Sequence, residues 1–230
     1  MTSAEQLAEQ IAAAHGGVDR FLRSRNLSVR FSSGGLLFRS KGQPTTLADV
    51  GGEFSVSQQS VRLAGRTPEP WEYRADDSAD LANDVDMLRR PARLLRWGVT
   101  DIAAFAAMAM WTYLTVPFVV AQSGAQLKLL PPRRGLRRLQ VRLPPGTVTH
   151  CAVQLLHIDD DGLIRRHDYT ARAVGQWARA TQTLDEYKSF GGVRVATRRR
   201  VTPRLAGRSV LAPTLVWIRI DEVRPAVTTP

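Results

Sequence analysis

The stretch WGVTDIAAFAAMAMWTYLTVPF, residues 97–118, constrains this chain more than any other, because nowhere else do so many large apolar side chains follow one another with so few polar interruptions. Ile102, Phe105, Ala106, Met108, Ala109, Trp111 and Leu114 are spread around nearly the whole circumference of a helical wheel. A surface helix keeps one polar side; this one has none, so protein or lipid must enclose it. From Asp101 to Val116, before Pro117 discourages further helix, the run is about 16 residues or roughly 24 Å, shorter than the roughly 30 Å hydrocarbon core of a bilayer. Asp101, Thr112 and Thr115 add to the cost of lipid. A helix buried in protein is therefore expected, with membrane contact at most peripheral.

The rest of the chain supplies what could wrap it. Ser3 and Gln6 have the spacing of a capping box, and Leu7, Ala8, Ile11 and Ala12 recur at helical spacing, which predicts an amphipathic helix over residues 4–15 ended by Gly16-Gly17. A short second helix follows, with Val18, Phe21 and Leu22 as its apolar side. The period then changes to two: Leu27, Val29 and Phe31 alternate with Ser28, Arg30 and Ser32, and Gly34-Gly35 suits a tight hairpin with residues 36–40 as the partner strand. Residues 46–50, 53–58 and 60–64 read as further strands of a meander. Over residues 67–86 periodicity fades among Pro68, Pro70 and a run of aspartates, which predicts a loop able to act as a flap, with a short helix near 85–90. Beyond the apolar helix, residues 126–130, 136–143, 150–158, 163–174, 177–190, 193–204 and 214–223 read as antiparallel strands, the clearest turn being Asp159-Asp160-Asp161-Gly162. No linker divides these 230 residues, so a single domain over 1–230 is expected.

The formal charge of +11 raises the question of an anionic partner, although it is nearly all arginine, lysine occurring only at Lys41, Lys128 and Lys188. Cys151 is the only cysteine, which excludes an internal disulfide or a thiolate cluster within one chain. With acidic Glu5 and Glu9 and no cation before Arg20, the first residues do not resemble a secretory signal, and a cytoplasmic location is expected.

Four segments resemble a known pattern: WTYLTVPF from Trp111, DDDGLIRRHDY from Asp159, YKSFGGVRVATRRRV from Tyr187 and VWIRIDEV from Val216. They are similar to an uncharacterised bacterial family and, more distantly, to the LolA/LolB-like lipoprotein-carrier fold. That likeness rests on a D-x-x-G-L turn at Asp159, Gly162 and Leu163 and an F-x-G-V strand start at Phe190, Gly192 and Val193. The resemblance implies a strongly bent antiparallel half-barrel with helices plugging its concave side and a hydrophobic-ligand site. It implies no catalytic residue.

Candidate chemistry follows from strand parity. Over residues 163–170, Arg165, His167 and Tyr169 share one face and Ile164, Arg166, Asp168 and Thr170 the other. A three-residue loop of Asp160 to Gly162 would pair position 157 with 165 and place His157 and His167 on one face; a two-residue loop would pair 157 with 166 and separate them. His167 and Tyr169 are candidates for acid and base, and Asp101 for a general base if its carboxyl is buried away from cations, helix capping being the simpler reading. Arg199 shares the apolar parity of Val193, Val195, Thr197 and Val201, and an inward arginine can anchor the acidic end of a greasy ligand. Trp111, Tyr113, Phe105 and Met108 from the apolar helix, with His157, complete the expected ligand-binding set. Arg133, Arg134, Arg137, Arg138 and Arg142 would form a positive band with Arg198, Arg199 and Arg200 if their strands were neighbours.

No nucleophile elbow, phosphate-binding glycine loop, HExxH or paired CxxC is present, so neither a cofactor nor a metal is expected, and nucleic acid is not an expected partner. The expected architecture is α+β, a strongly curved antiparallel sheet holding helices, the apolar one included, in its concave face. The expected function is binding of an apolar or amphiphilic small molecule in that hollow. The alternative is a cofactor-independent isomerase or cyclase acting on a hydrophobic, polyketide-like substrate by acid–base or shape catalysis in the same place. Oligomeric state is left open.

Overall fold

The computed structural model describes residues 3–122, 124–205 and 207–227. Its first helix, α1 (Ala4–Ala14), begins as the capping box predicts: Ser3 Oγ accepts the Gln6 amide at 3.1 Å and the Gln6 side chain accepts the Ser3 amide at 2.8 Å. The buried stripe of Leu7, Ala8, Ile11 and Ala12 fixes which side faces inward. In α2 (Val18–Arg23) Phe21 is buried and stacked on Phe118, with centroids 4.0 Å apart, while Leu22 is exposed instead of packed.

The chain then enters β1 (Ser24–Gly34), but the expected hairpin does not form. Residues 36–40 are a short helix, α3 (Leu36–Ser40), whose Leu36 and Leu37 amides donate to Thr214 O and Leu215 O. Gly35, at φ 131°, brings the backbone against that late segment so closely that a Cβ would lie 2.4 Å from Leu215 O. The glycine pair serves a close crossing between distant parts of the chain, which its local pattern shares with a tight turn.

Next come β2 (Val50–Ser55), β3 (Val61–Gly65) and β4 (Trp71–Ala75). Only Val50 of the expected strand 46–50 joins the sheet; Thr46 is buried with its hydroxyl on Gln43 Oε1 at 2.5 Å. The expected flap is built into the fold. Its first part is the edge strand β4, paired to β3 from Gly65↔Trp71 to Val61↔Ala75, and its second is α4 (Ser78–Met87). Asp77 caps α4 by accepting the Ala79 and Asp80 amides at 2.8 and 2.9 Å, so acidic residues taken for a solvated loop are N-terminal capping chemistry. Leu81 and Val85 anchor α4 in the core.

After a 3-10 turn at Pro91–Arg93 comes α5 (Val99–Val119), buried continuously from Asp101 to Phe118. Its 21 residues exceed the expected length because the helix continues through Pro117. At 1.5 Å per residue it is about 31 Å long, enough by length and composition to cross a bilayer. Along that length the rest of the protein encloses it, and the expectation that it is too short to span does not hold.

The second half is a run of antiparallel strands: β5 (Gln126–Arg133), β6 (Leu136–Arg142), β7 (Val153–Ile158), β8 (Ile164–Thr170), β9 (Arg179–Phe190), β10 (Val193–Leu205), the short β11 (Arg208–Ser209) and β12 (Val216–Val227). They join the first half in one open sheet of order β4-β3-β2-β1-β12-β10-β9-β8-β7-β6-β5, with β11 on β10. The class is α+β, as expected, with the sheet wrapped around α5. Three strands stand between β6 and β10, so the arginines of the two do not merge into one band.

The β7–β8 hairpin decides which side chains face α5. Its loop has three residues, closed by the Asp159 amide on Leu163 O at 3.0 Å, yet a bulge after the Ile158↔Ile164 pair gives His157↔Arg166. The bulge lets Leu156, Ile158, Ile164 and His167 all point inward. His157 and His167 therefore stand on opposite faces. The interior itself falls into two apolar clusters, one built from most of α5 against β1–β4 and β12, the other from α1 against Leu139, Leu156, Ile158, Ile164 and Leu184.

Candidate functional site

Between these clusters lies a layer of polar side chains. Tyr113 on α5 and Tyr169 on β8 join hydroxyls at 2.8 Å. His150 stacks on the Tyr113 ring, with centroids 5.0 Å apart and planes at 19°, and His167 lies 4.9 Å from the Tyr169 ring. Arg199 on β10 reaches across to α5: one guanidinium nitrogen donates to Gln182 Oε1 at 3.3 Å, another to Tyr113 O at 3.3 Å, and its charge sits 5.1 Å from the Tyr113 ring centroid.

The Tyr113 contact has a cause in the sequence. Pro117 has no amide hydrogen, so the carbonyl four residues earlier, that of Tyr113, is left without its helical donor. Arg199 supplies one. A buried guanidinium and a proline inside an enclosed helix thus explain each other's tolerance.

The charge of Arg199 has no such answer. Arg199 is only 4% exposed, and burial pulls its pKa down, opposed only by the neighbouring tyrosines Tyr187, Tyr113 and Tyr169. No acidic group among the described residues lies within salt-bridge reach of it. Arg199 Nε, Gln182 Nε2, His167 Nε2 and both ring nitrogens of His150 have no hydrogen-bond partner among the described residues. Burial holds His150 neutral down to about pH 3, and burial with the nearby charges does the same for His167. Burial likewise lowers His15 to about 4, against the opposing hydrogen bond to Ile11 O. Burial raises Tyr113 to about 12 and Tyr169 well above its ordinary value. The layer is therefore one cation among neutral donors and acceptors.

Two small spaces flank the tyrosine pair. One of about 20 Å³ touches Arg199, His167, Tyr113, His15 and Tyr187; the other, of about 30 Å³, lies between Phe105, Ala106, Ala109 and Met110 of α5 and the strands beneath. Each has room for a water or two and not for a drug-sized guest. The expected open hollow is instead largely filled by α5. Larger depressions of about 660 to 760 Å³ are shallow and lie on the outer face of the sheet, among Arg30, Glu53, Arg62, Arg74 and Glu222.

Of the expected residues, His167, Tyr169, Tyr113 and Arg199 come together here, and Phe105 lines the second space. Met108 is wholly packed, and Trp111 donates its indole N–H to Ser55 O at 2.9 Å. Asp101 stands apart, twelve residues or about 18 Å along α5 from Tyr113. Its carboxylate accepts the Gly98 amide at 2.7 Å and meets Arg93 at 3.0 Å, so it is a paired helix cap with a cation beside it. His157 lies on the outer side, 3.1 Å from Asp168. Burial raises the Asp168 pKa, but hydrogen bonds from His157, Arg166 and Thr181 and the Arg166 charge outweigh it and leave the carboxyl well below the usual range. With so many donors Asp168 is a structural hub. Gln182, His150, Tyr187 and His15 join the layer without having been expected. Gln182 shares the inward parity of Ala180 and Leu184, a signal strand alternation carries; His150 was expected at the start of a strand 150–158, in phase with Leu156 and Ile158, but β7 begins only at Val153 and His150 lies ahead of it in irregular chain.

No protein-family model matches the sequence, and no curated protein matches it. Among solved structures, the chain is similar to a DUF1329 family protein from Desulfovibrio piger at 12% identity and a TM-score of 0.46, over 100% of this chain and 96% of that one. It is also similar to a LolA superfamily protein from Nitrosomonas europaea at 10% identity and a TM-score of 0.35, over 90% and 91% of the two chains. Neither likeness carries a ligand or an activity to this chain.

Proposed function

We propose that this protein binds an amphiphile with an acidic head group, the head lodged against Arg199 and the apolar part lying between α5 and the sheet. The observation that carries this is an enclosed guanidinium with no counter-anion among the described residues, beside donors on Gln182 and Arg199 itself that have no hydrogen-bond partner among them. An uncompensated buried charge costs several kcal/mol, on the order of what a carboxylate or phosphate head would recover. The apolar wall needs only the ordinary gain of about 25 cal/mol per Å² removed from water.

Because the existing spaces are small, binding requires α5 to move from the sheet. Ala103, Ala104, Ala106, Ala107 and Ala109 give this helix little side-chain interlocking to undo, and Pro117 weakens its hydrogen-bond ladder near the head-group position. Acid–base catalysis is the weaker reading, since histidines held neutral to about pH 3 are poor bases at neutrality and tyrosines raised above their usual range are poor acids.

Native mass spectrometry of the purified protein, followed by titration with a fluorescent fatty acid, tests the proposal. A co-purifying acidic lipid or saturable probe binding is expected, with Arg199→Met weakening the probe by about tenfold to a hundredfold, the loss of one charge-assisted contact. Absence of both a bound lipid and probe binding would sink it, as would Arg199→Met binding unchanged.

A further inference from the structure

Hydrogen bonds tie together four loops at one end of the half-barrel. The Leu94-Leu95 turn before α5 is held by Lys41, whose ammonium donates to Arg93 O and Leu94 O, while the Trp97 amide donates to Lys41 O. Lys41 follows α3, which is held to the segment ahead of β12 by Leu36 and Leu37. That segment returns to β10 through the Leu215 amide on Val201 O, and β10 pairs with the start of β9 at Pro203↔Ala180. The Leu94-Leu95 turn, the β11–β12 connection, the β10–β11 tip and the β8–β9 connection thus form one rim.

The rim carries apolar side chains that nothing in the fold covers. Leu95 is 84% exposed, Leu211 82%, Trp177 78%, Leu205 64% and Leu94 59%. Interleaved with them are Arg39, Arg90, Arg96, Arg172, Arg179 and Arg208, all exposed and none within salt-bridge reach of an acidic group among the described residues. Of the acids near this end of the sheet, Asp86 is engaged by Arg89, Asp101 by Arg93 and Asp49 by Arg30, which leaves Glu69 of the β3–β4 loop without an ion pair among the described residues, one acid against six arginines. Unpaired arginines alternating with protruding leucines and a tryptophan match a surface of anionic head groups above acyl chains: guanidinium forks take phosphate oxygens, leucines enter the hydrocarbon, and an indole settles at the boundary. A protein partner of the same charge would ask for a flatter and more continuous apolar patch than separated loop tips provide.

We propose that this rim docks the protein onto anionic phospholipid bilayers, with Leu94, Leu95, Trp177, Leu205 and Leu211 inserted and the six arginines on the lipid phosphates. The proposal is independent of whether Arg199 holds a ligand.

Vesicle flotation is the test, comparing phosphatidylcholine with phosphatidylcholine containing phosphatidylglycerol. Binding to the anionic vesicles alone is expected, weakening as salt is raised, with a blue shift of the Trp177 emission that Trp177→Phe removes. Arg90→Gln with Arg96→Gln should weaken binding by on the order of tenfold or more. Leu94→Asp with Leu95→Asp should abolish it while leaving thermal unfolding and fatty-acid probe binding as in the parent. No flotation with either vesicle overturns the proposal, and so does equal binding to both. Unchanged binding by the folded Leu94→Asp/Leu95→Asp variant overturns it as well.

Discussion

His150 has no hydrogen-bond partner on either ring nitrogen among the described residues and behaves in the layer as an aromatic ring, packed edge-on to Phe105 and flat on Tyr113. Its pKa, and those of His15 and His167, are lowered from 6.5 to about 3 or 4, chiefly by burial. The unfolded chain takes up protons as pH falls through 6.5 while the folded chain refuses them. Stability is therefore complete above pH 6.5 and declines toward pH 3, by about 1.4 kcal/mol per pH unit for each such histidine. The lowered Asp168 pKa acts in the same direction at more acidic pH, where the unfolded carboxyl protonates first. His150→Phe should remove one share of this slope. Urea unfolding at pH 7.5 and pH 5 is expected to show the variant gaining about 2 kcal/mol on the parent between the two; an equal difference at both values would mean that His150 is not held neutral by burial. The inward lean of Arg199 and Gln182 was legible from strand alternation, whereas the expected strand 150–158 gave His150 the right side for the wrong reason, since it lies outside β7 and its place is fixed by Phe105 and Tyr113 of α5.

At the scale of elements, α5 and β10 are coupled through the break at Pro117. Pro117→Ala returns an amide hydrogen to the helix, which then serves Tyr113 O in place of Arg199. The cost of Arg199→Met should accordingly be smaller in the Pro117→Ala background, with a coupling of about 0.5–3 kcal/mol in a double-mutant cycle. Strict additivity would break the link between proline and arginine. The elements that sequence placed well are those with one strong local signal: the capped and striped α1, the alternating β1 and β10, and the apolar α5. Those it misplaced carry signals with two meanings. Gly34-Gly35 suits a hairpin and also a close backbone crossing, and the aspartates around Asp77 suit a loop and also a helix cap. The alternation Trp71, Tyr73, Ala75 is too short to stand out beside two prolines, and becomes a strand because β3 is there to pair with it.

For the whole molecule, the sheet and its enclosed helix make ligand binding and stability one equilibrium. If an amphiphile occupies the gap between α5 and the strands, protein stripped of lipid by organic extraction should unfold at a lower temperature. Restoring a fatty acid at about 100 times its dissociation constant should return about 2.7 kcal/mol. Identical unfolding midpoints for stripped and reloaded protein would argue against an internal site.

The sequence by itself determined that residues 97–118 must be enclosed, that the rest of the chain is mostly strands able to do the enclosing, and that Arg199 shares the parity of Val193, Val195 and Val201. These follow from hydrophobicity and periodicity, which are local quantities. Only the tertiary structure decided how full the enclosure is and which polar groups meet inside it. A bulge at one hairpin turns His157 outward while His167 stays in, a proline's missing hydrogen receives an arginine from another strand, and α5 occupies the hollow that the strands would otherwise leave open. Each outcome depends on how elements far apart in the chain fit against one another, and side-chain packing in three dimensions is not encoded in any single window of residues.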